Sequence, residues 1–229
     1  MECMGVSAGA AVRVTGSLTV EVAGEAMVLL PHRAAYWPAR RTLLIADVHL
    51  DKCEGMREMG MPVPRAIFDE QVSRLDAALR VTGAARLLVL GDLLHGTVGL
   101  TPAMVERFAS WRAGCPVEFG LVPGNHDRGL ELVRSAWGVE VLPACYDEGP
   151  FRFQHLPEAA AGRYVWGGHL HPAVTLRSAS DSLKLACFCI GTSVAVLPAF
   201  STFTAGGPVG RRRGERVFGV VPGERVVEV

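Results

Sequence analysis

Lysine is almost missing from this chain: Lys52 and Lys184 are the only two, and arginine supplies the other basic side chains. Arginine suits bidentate contacts to phosphate, although a compositional bias of the genome gives the same count. An excess of charge is missing too. Lys+Arg and Asp+Glu each number 23, so bulk attraction alone does not hold this protein to nucleic acid. A local basic groove stays compatible with that balance. No apolar run reaches the ~18–20 residues needed to span a bilayer, so no membrane association is expected. The start, MECMGVSAGAAVRV, lacks a basic segment followed by a long apolar one, and no secretory signal is read there. The six cysteines form no C-x-x-C pair, which favours free thiols in a reducing cytoplasm over disulfides.

What remains is enough for a folded domain. The 229 residues are 49% hydrophobic and 20% charged, which fits neither disorder nor a coiled coil. No internal repeat or domain boundary is visible, so residues 1–229 are expected to form one domain. Hydrophobic alternation in AVRV and LTVEV around Thr15-Gly16-Ser17 predicts a hairpin. AMVLLP extends it. TLLIAD, RLLVLGD and PVEFGLV are continuous apolar runs that read as buried strands. Residues 48–64 hold Gly55, Gly60, Pro62 and Pro64 and are expected to form a loop. Residues 65–80 place Ile67, Phe68, Val72, Leu75 and Leu79 on one helical face. Residues 102–113 read as a helix with Thr101 as N-cap and Pro102 first, and LELVRSAW as a short one. FRFQ, RYVWGG, LKLACFCI, RVFGVV and RVVEV read as further strands. The order β-α-β-α-β-α followed by strands implies an α/β domain whose sheet continues into an antiparallel part.

Seven residues carry chemistry: Asp47, His49, Asp92, Asn125, His126, His169 and His171. Each stands at or just beyond the carboxyl end of a buried strand, where loops of an open sheet converge. The set offers carboxylate, imidazole and amide oxygen without thiolate, a choice suited to Mn, Fe or Zn. Asp92 can serve two ions through its two oxygens, and two ions can hold a shared hydroxide and a phosphate between them. Gly91, Gly124 and Gly168 are expected to permit turns that a Cβ would obstruct. Asn125 is the only asparagine in the chain.

DVH, GD, GNHD and GHLH resemble the motifs of the calcineurin-like metallophosphoesterases. The resemblance implies a four-layer fold of two mixed β-sheets flanked by helices. It implies that Asp47, His49 and His171 bind a first metal, that Asp92 bridges, and that Asn125 and His169 bind a second. His126 would contact the substrate phosphate, with Asn125 beside it, and assist the leaving oxygen. The family also carries a second-metal histidine between GNHD and GHLH, where His155 stands. The run from Trp37 to Pro64, GDLLHG, GHLHPAV and PAFSTFTAGG more narrowly resemble the ligase-associated DNA damage response endonucleases. That implies Mn2+-dependent hydrolysis of DNA phosphodiesters, on single strands or loops, in functional association with a DNA ligase and a helicase.

Around these motifs, His95 is a candidate phosphate contact. So are Lys52 and Arg57, which flank the first metal loop with Arg65. Arg211, Arg212 and Arg213 read first as a solvated loop. Trp37, Trp111, Trp137 and Trp166 are expected in the core, and His32 as structural. Two other classes stay open: a phosphatase or phosphodiesterase of nucleotides or other small phosphoesters, and, more remotely, a non-catalytic module on the same fold. The presence of every expected ligand weighs against the second.

Overall fold

The computed structural model describes residues 14–178, 181–209 and 214–229. The first sheet runs in chain order: Leu18–Val22 (β1), Glu25–Leu30 (β2), Ala34–Trp37 (β3), Thr42–Ile45 (β4), Arg86–Leu90 (β5), Glu118–Val122 (β6) and Glu140–Val141 (β7). β1 to β4 pair antiparallel, and β4 to β7 pair parallel. The crossovers between the parallel strands carry helices Lys52–Glu58 (α1), Ala66–Thr82 (α2), Pro102–Ala113 (α3) and Arg134–Trp137 (α4).

The second sheet holds Cys145–Glu148 (β8), Phe151–Gln154 (β9), Tyr164–Gly167 (β10), Pro172–Arg177 (β11), Ser182–Ile190 (β12), Val194–Val196 (β13) and Gly207–Pro208 (β14). Its order is β14-β11-β12-β13-β10-β9-β8, with Arg216–Val221 (β15) on β12 and Arg225–Glu228 (β16) on β15. β9, β10 and β13 are parallel neighbours, and the rest is largely antiparallel. Both sheets are therefore mixed, as expected for an α/β fold of this kind.

The two sheets lie face to face. Leu44, Leu88, Leu90 and Val122 meet Phe151, Phe153, Trp166 and Phe188 across the interface. The alternate residues of the same strands, Leu43, Ile45, Leu87 and Val89, pack on Phe68, Leu75, Phe108 and Trp137 of the helices. β4 and β5 are thus covered on both faces, which is why their sequences are unbroken apolar runs. Trp37 packs edge-on against Phe151 with centroids 4.9 Å apart. Arg86 of the first sheet donates to Glu148 of the second at 2.5 Å. Among the described residues no helix follows Trp137, and the outer face of the second sheet presents Cys187, Cys189, Val196 and Val217.

Several local expectations change. AVRV lies outside the described residues apart from Val14, and LTVEV pairs instead with β2. The expected loop 48–64 contains α1. That helix forms where Gly55 lets it press on Gly99, a tertiary contact with no local signal. LELVRSAW divides into a 3-10 segment, Asp127–Leu132, and the single turn of α4. α3 begins as read, with the Thr101 hydroxyl accepting from the Met104 N–H. Trp37, Trp137 and Trp166 are fully buried, and Trp111 packs on the core's edge. The described cysteines, Cys53, Cys115, Cys145, Cys187 and Cys189, are free.

Candidate dinuclear metal centre

The loops after β4, β5, β6, β9 and β10 converge at one end of the sandwich. The first two are joined along their length. Asp47 and His49 donate their N–H groups to Gly91 and Asp92 carbonyls at 3.1 and 3.0 Å, and Leu50 donates to Leu93 at 3.0 Å. Eight described non-glycine residues have positive φ, and five are site residues: Asp47 (55°), His49 (48°), Asp92 (53°), His169 (67°) and His171 (46°). This left-handed backbone is disfavoured for residues with a Cβ and gathers at functional sites.

The side chains meet in two groups. Donor atoms of Asp47, His49 and His171 lie within 4.8 Å of one another, as do those of Asp92, His155 and His169. His171 Nε2 is 3.3 Å from Asp47 Oδ1 and 3.5 Å from His49 Nε2. His155 Nε2 is 3.0 Å from Asn125 Oδ1 and 3.1 Å from His169 Nδ1. Asp92 joins the groups: its Oδ2 is 3.5 Å from His155 Nε2 and 4.0 Å from His49 Nε2. All seven expected metal ligands are thus neighbours.

The far side of two rings explains their orientation. His49 Nδ1 faces the Leu94 carbonyl at 3.3 Å, and His155 Nδ1 faces the Leu90 carbonyl at 3.0 Å. A ring that donates from Nδ1 offers Nε2 as a lone pair, the usual arrangement behind a ligating histidine. Burial pushes the His49 ring down to about 3, and it is neutral at physiological pH. Burial works against the Asp92 carboxylate, but His155 and the His126 amide outweigh it and hold Asp92 ionised below its usual range. Burial also opposes charge on His155, yet Asp92 and the Leu90 carbonyl outweigh it and raise that ring. Asp92 is thus held as an anion between a ring that resists charge, His49, and one that accepts it, His155. Hard oxygen and imidazole donors, with lone pairs turned inward, fit two divalent cations.

Two glycines make the approach possible. A Cβ on Gly91, at φ 81°, would stand 2.2 Å from His155 Nδ1, and one on Gly124 would stand 2.2 Å from Asp92 Oδ1. Gly168 is crowded likewise by Ala46 and Asp47.

Buried carboxylates outside the expected set brace these loops. Asp127 accepts the N–H groups of Asp92 (2.9 Å), Leu94 (2.9 Å) and Gly124 (2.8 Å), tying the β5 and β6 loops together. Asp51 accepts those of His95 (2.5 Å) and Gly96 (3.1 Å). Burial raises both carboxyls despite these amides. Gln71 of α2 donates to the Val48 carbonyl at 2.8 Å. Phe200 and Ser201 donate to the Ala46 and Asp47 carbonyls, and Arg74 and Arg33 grip the same segment from behind. Asp127 completes the GNHD motif, which was its one sequence signal. Asp51 had none.

The remaining candidates divide. The His95 and His126 rings stack at 4.8 Å with a 16° interplanar angle, and both lie near His49. Lys52 opens α1, close enough for its charge to lower His95 after burial has done so. Arg57 is occupied by Glu54 and by the Val63 and Pro64 carbonyls, so it braces residues 58–64. Arg211, Arg212 and Arg213 lie outside the described residues. His32 is half-buried, away from the cluster, with its Nδ1 unpaired.

The family model described as calcineurin-like phosphoesterase matches residues 40–189. The crystal structure of Pseudomonas putida nuclease MPE matches at TM-score 0.79 and 32% identity, over 93% of this chain and 100% of that one. Yfce, a phosphoesterase from E. coli, matches at TM-score 0.39 and 18% identity, over 77% of this chain and 86% of that one. No curated protein matches.

Proposed function

The chain belongs to the calcineurin-like phosphoesterase family, and on that premise we propose that it is a Mn2+-dependent phosphodiesterase that cuts DNA internally. It is a hydrolase of phosphoester bonds. The observation that carries the finer reading is the pair of donor groups meeting at Asp92. A nucleic-acid substrate is supported by 32% identity to a nuclease across 93% of the chain, and DNA in particular by the sequence resemblance. In this reading Asp47, His49 and His171 hold one ion, Asn125, His155 and His169 hold another, and Asp92 serves both. Bound divalent ions supply Lewis-acid charge and an acidified water.

The chain's own groups do the rest. His126 Nδ1 donates to the His95 carbonyl at 3.0 Å, which leaves Nε2 of the doubly protonated ring to donate to a phosphoryl or leaving oxygen. Lys52 and His95 stand at the rim, where a cation and a polar ring suit the flanking phosphates. Mn2+ and association with a ligase and helicase rest on the sequence resemblance; action in a reducing cytoplasm rests on the cysteines, and the described ones are free.

The test uses closed circular single-stranded DNA, Mn2+ and an EDTA control. A circle has no ends, so only an endonuclease linearises it. Metal-dependent linearisation, abolished by Asn125→Ala, is the expected result. An intact circle with bis-p-nitrophenyl phosphate still hydrolysed removes DNA as the substrate. Hydrolysis of neither overturns the phosphodiesterase reading.

A further inference from the structure

We propose that Asp51 is a positioning residue for His126, acting through the single peptide group between His95 and Gly96. The inference rests on the reading of His126 as the residue that touches the phosphate. One end of that peptide, the Gly96 N–H, donates to Asp51 Oδ2 at 3.1 Å. The other end, the His95 carbonyl, faces His126 Nδ1 at 3.0 Å. The peptide is planar and rigid, so fixing its N–H fixes the direction of its carbonyl. Hydrogen bonds at both ends also polarise one another.

Three further observations support the connection. Asp51 occupies the N-cap position of α1, where a carboxylate commonly accepts an N–H of its own helix. It makes no such bond; both oxygens reach across to residues 95 and 96. Asp51 is only 2% exposed, so water does not replace those amides. The loop it holds is pressed onto the start of α1: a Cβ on Gly99 would stand 2.0 Å from the Asp51 carbonyl oxygen. His95 in turn holds His126 twice, by its carbonyl at the ring edge and by its own ring on the face. The backbone of residue 95 thus sets where the His126 imidazole sits and which nitrogen carries its proton.

In Asp51→Asn, one amide oxygen can accept one N–H, and the NH2 opposes the other as donor against donor. The peptide loses its anchor and His126 its fixed acceptor. The test labels histidine with 15N in metal-free protein and reads the His126 ring, assigned by loss of its signals in His126→Gln. With the ring neutral, the wild type is expected to hold its one proton on Nδ1, so that the second proton goes to Nε2, and Asp51→Asn to show mixed tautomers. With Mn2+ and bis-p-nitrophenyl phosphate, kcat is expected to fall about 10–100-fold, as misplacement of a reacting group does. KM is expected to stay within about twofold and the bound Mn2+ to be unchanged, the pattern of a group acting beyond substrate binding. Asp51→Glu, which keeps the charge, should recover part of kcat. If Asp51→Asn does not fold, Asp51→Ser takes its place, because serine can cap α1 while losing both amides.

A fixed tautomer with intact kcat overturns the proposal alone. Mixed tautomers with intact kcat overturn it at the functional step, and the role of His126 with it. Loss of bound metal overturns it in favour of a brace for the His49 loop. Absence of phosphodiester hydrolysis in the wild type sinks the proposed function, a result separate from the tautomer comparison.

Discussion

The Nδ1 of His169 lies 3.1 Å from the Nε2 of His155. His155 already donates from its other nitrogen to Leu90, so one ring proton can bridge the pair. A divalent ion held by both rings would take the place of that proton. His155→Ala is expected to bind one Mn2+ fewer per chain than the wild type, measured by elemental analysis after gel filtration. Unchanged stoichiometry would remove His155 from the ligand set.

Asp92 and His126 should separate metal binding from turnover. Asp92→Ala is expected to bind metal poorly at both groups and to lose about 1000-fold or more in rate, since in the proposed centre it would serve both ions. His126→Ala should keep its metal and lose about 100–10,000-fold in kcat, the usual contribution of a positioned acid or base. Titration of Mn2+ beside kcat decides. A metal-depleted His126→Ala moves that ring into the ligand shell.

Gly91→Ala tests how tightly the second group is built. The new Cβ would stand 2.2 Å from His155 Nδ1, at a backbone φ of 81°. The expected cost is about 2–4 kcal/mol in urea unfolding, combining backbone strain with displacement of the ring. Native stability in that variant would show that the loop relaxes without moving His155.

Asp127→Ala leaves three N–H groups without an acceptor, those of Asp92, Leu94 and Gly124. Each buried orphan donor costs about 1–3 kcal/mol, so a total loss near 3 kcal/mol is expected where water enters in part. Asn should recover some of it. An Ala variant within about 0.5 kcal/mol of wild type, the range of ordinary surface changes, would mean the loops hold without the clamp.

Removal of divalent ions should lower thermal stability. An ion at 100 times its dissociation constant adds about 2.7 kcal/mol per site. For a domain of this size that corresponds to roughly 5–10 °C in Tm. Calorimetry after EDTA treatment and again after Mn2+ checks this, and identical midpoints would argue against tight native-state binding.

The strands that place the site were legible because parallel strands buried on both faces must be apolar throughout. TLLI, RLLVL and EFGLV leave little ambiguity. Six of the proposed ligands were legible because each stands just beyond a buried strand, whereas His155 follows the alternating strand FRFQ and was found through the family resemblance alone. α1 was not legible: Gly55 and Gly60 argue against a helix locally, and only its packing on Gly99 supplies the reason for one. β3 (AAYW), β11 (PAVTLR) and β13 (VAV) were missed because they are short or begin at proline, and their pairing partners decide them. Asp51 escaped for a different reason, and Asp127 stood in GNHD without a role being read for it. Their partners are backbone amides, which every sequence contains, so residue type carries no trace of the contact.

The five left-handed residues at the centre cost about 1 kcal/mol or more each relative to relaxed backbone. They are also among the proposed ligands. A selection for heat resistance alone would therefore drift toward glycine at Asp47, Asp92 and the paired histidines, and each step toward a calmer chain would erase a donor. Durability and chemistry compete here at the same positions, and the most rugged descendant of this fold would be an inert one.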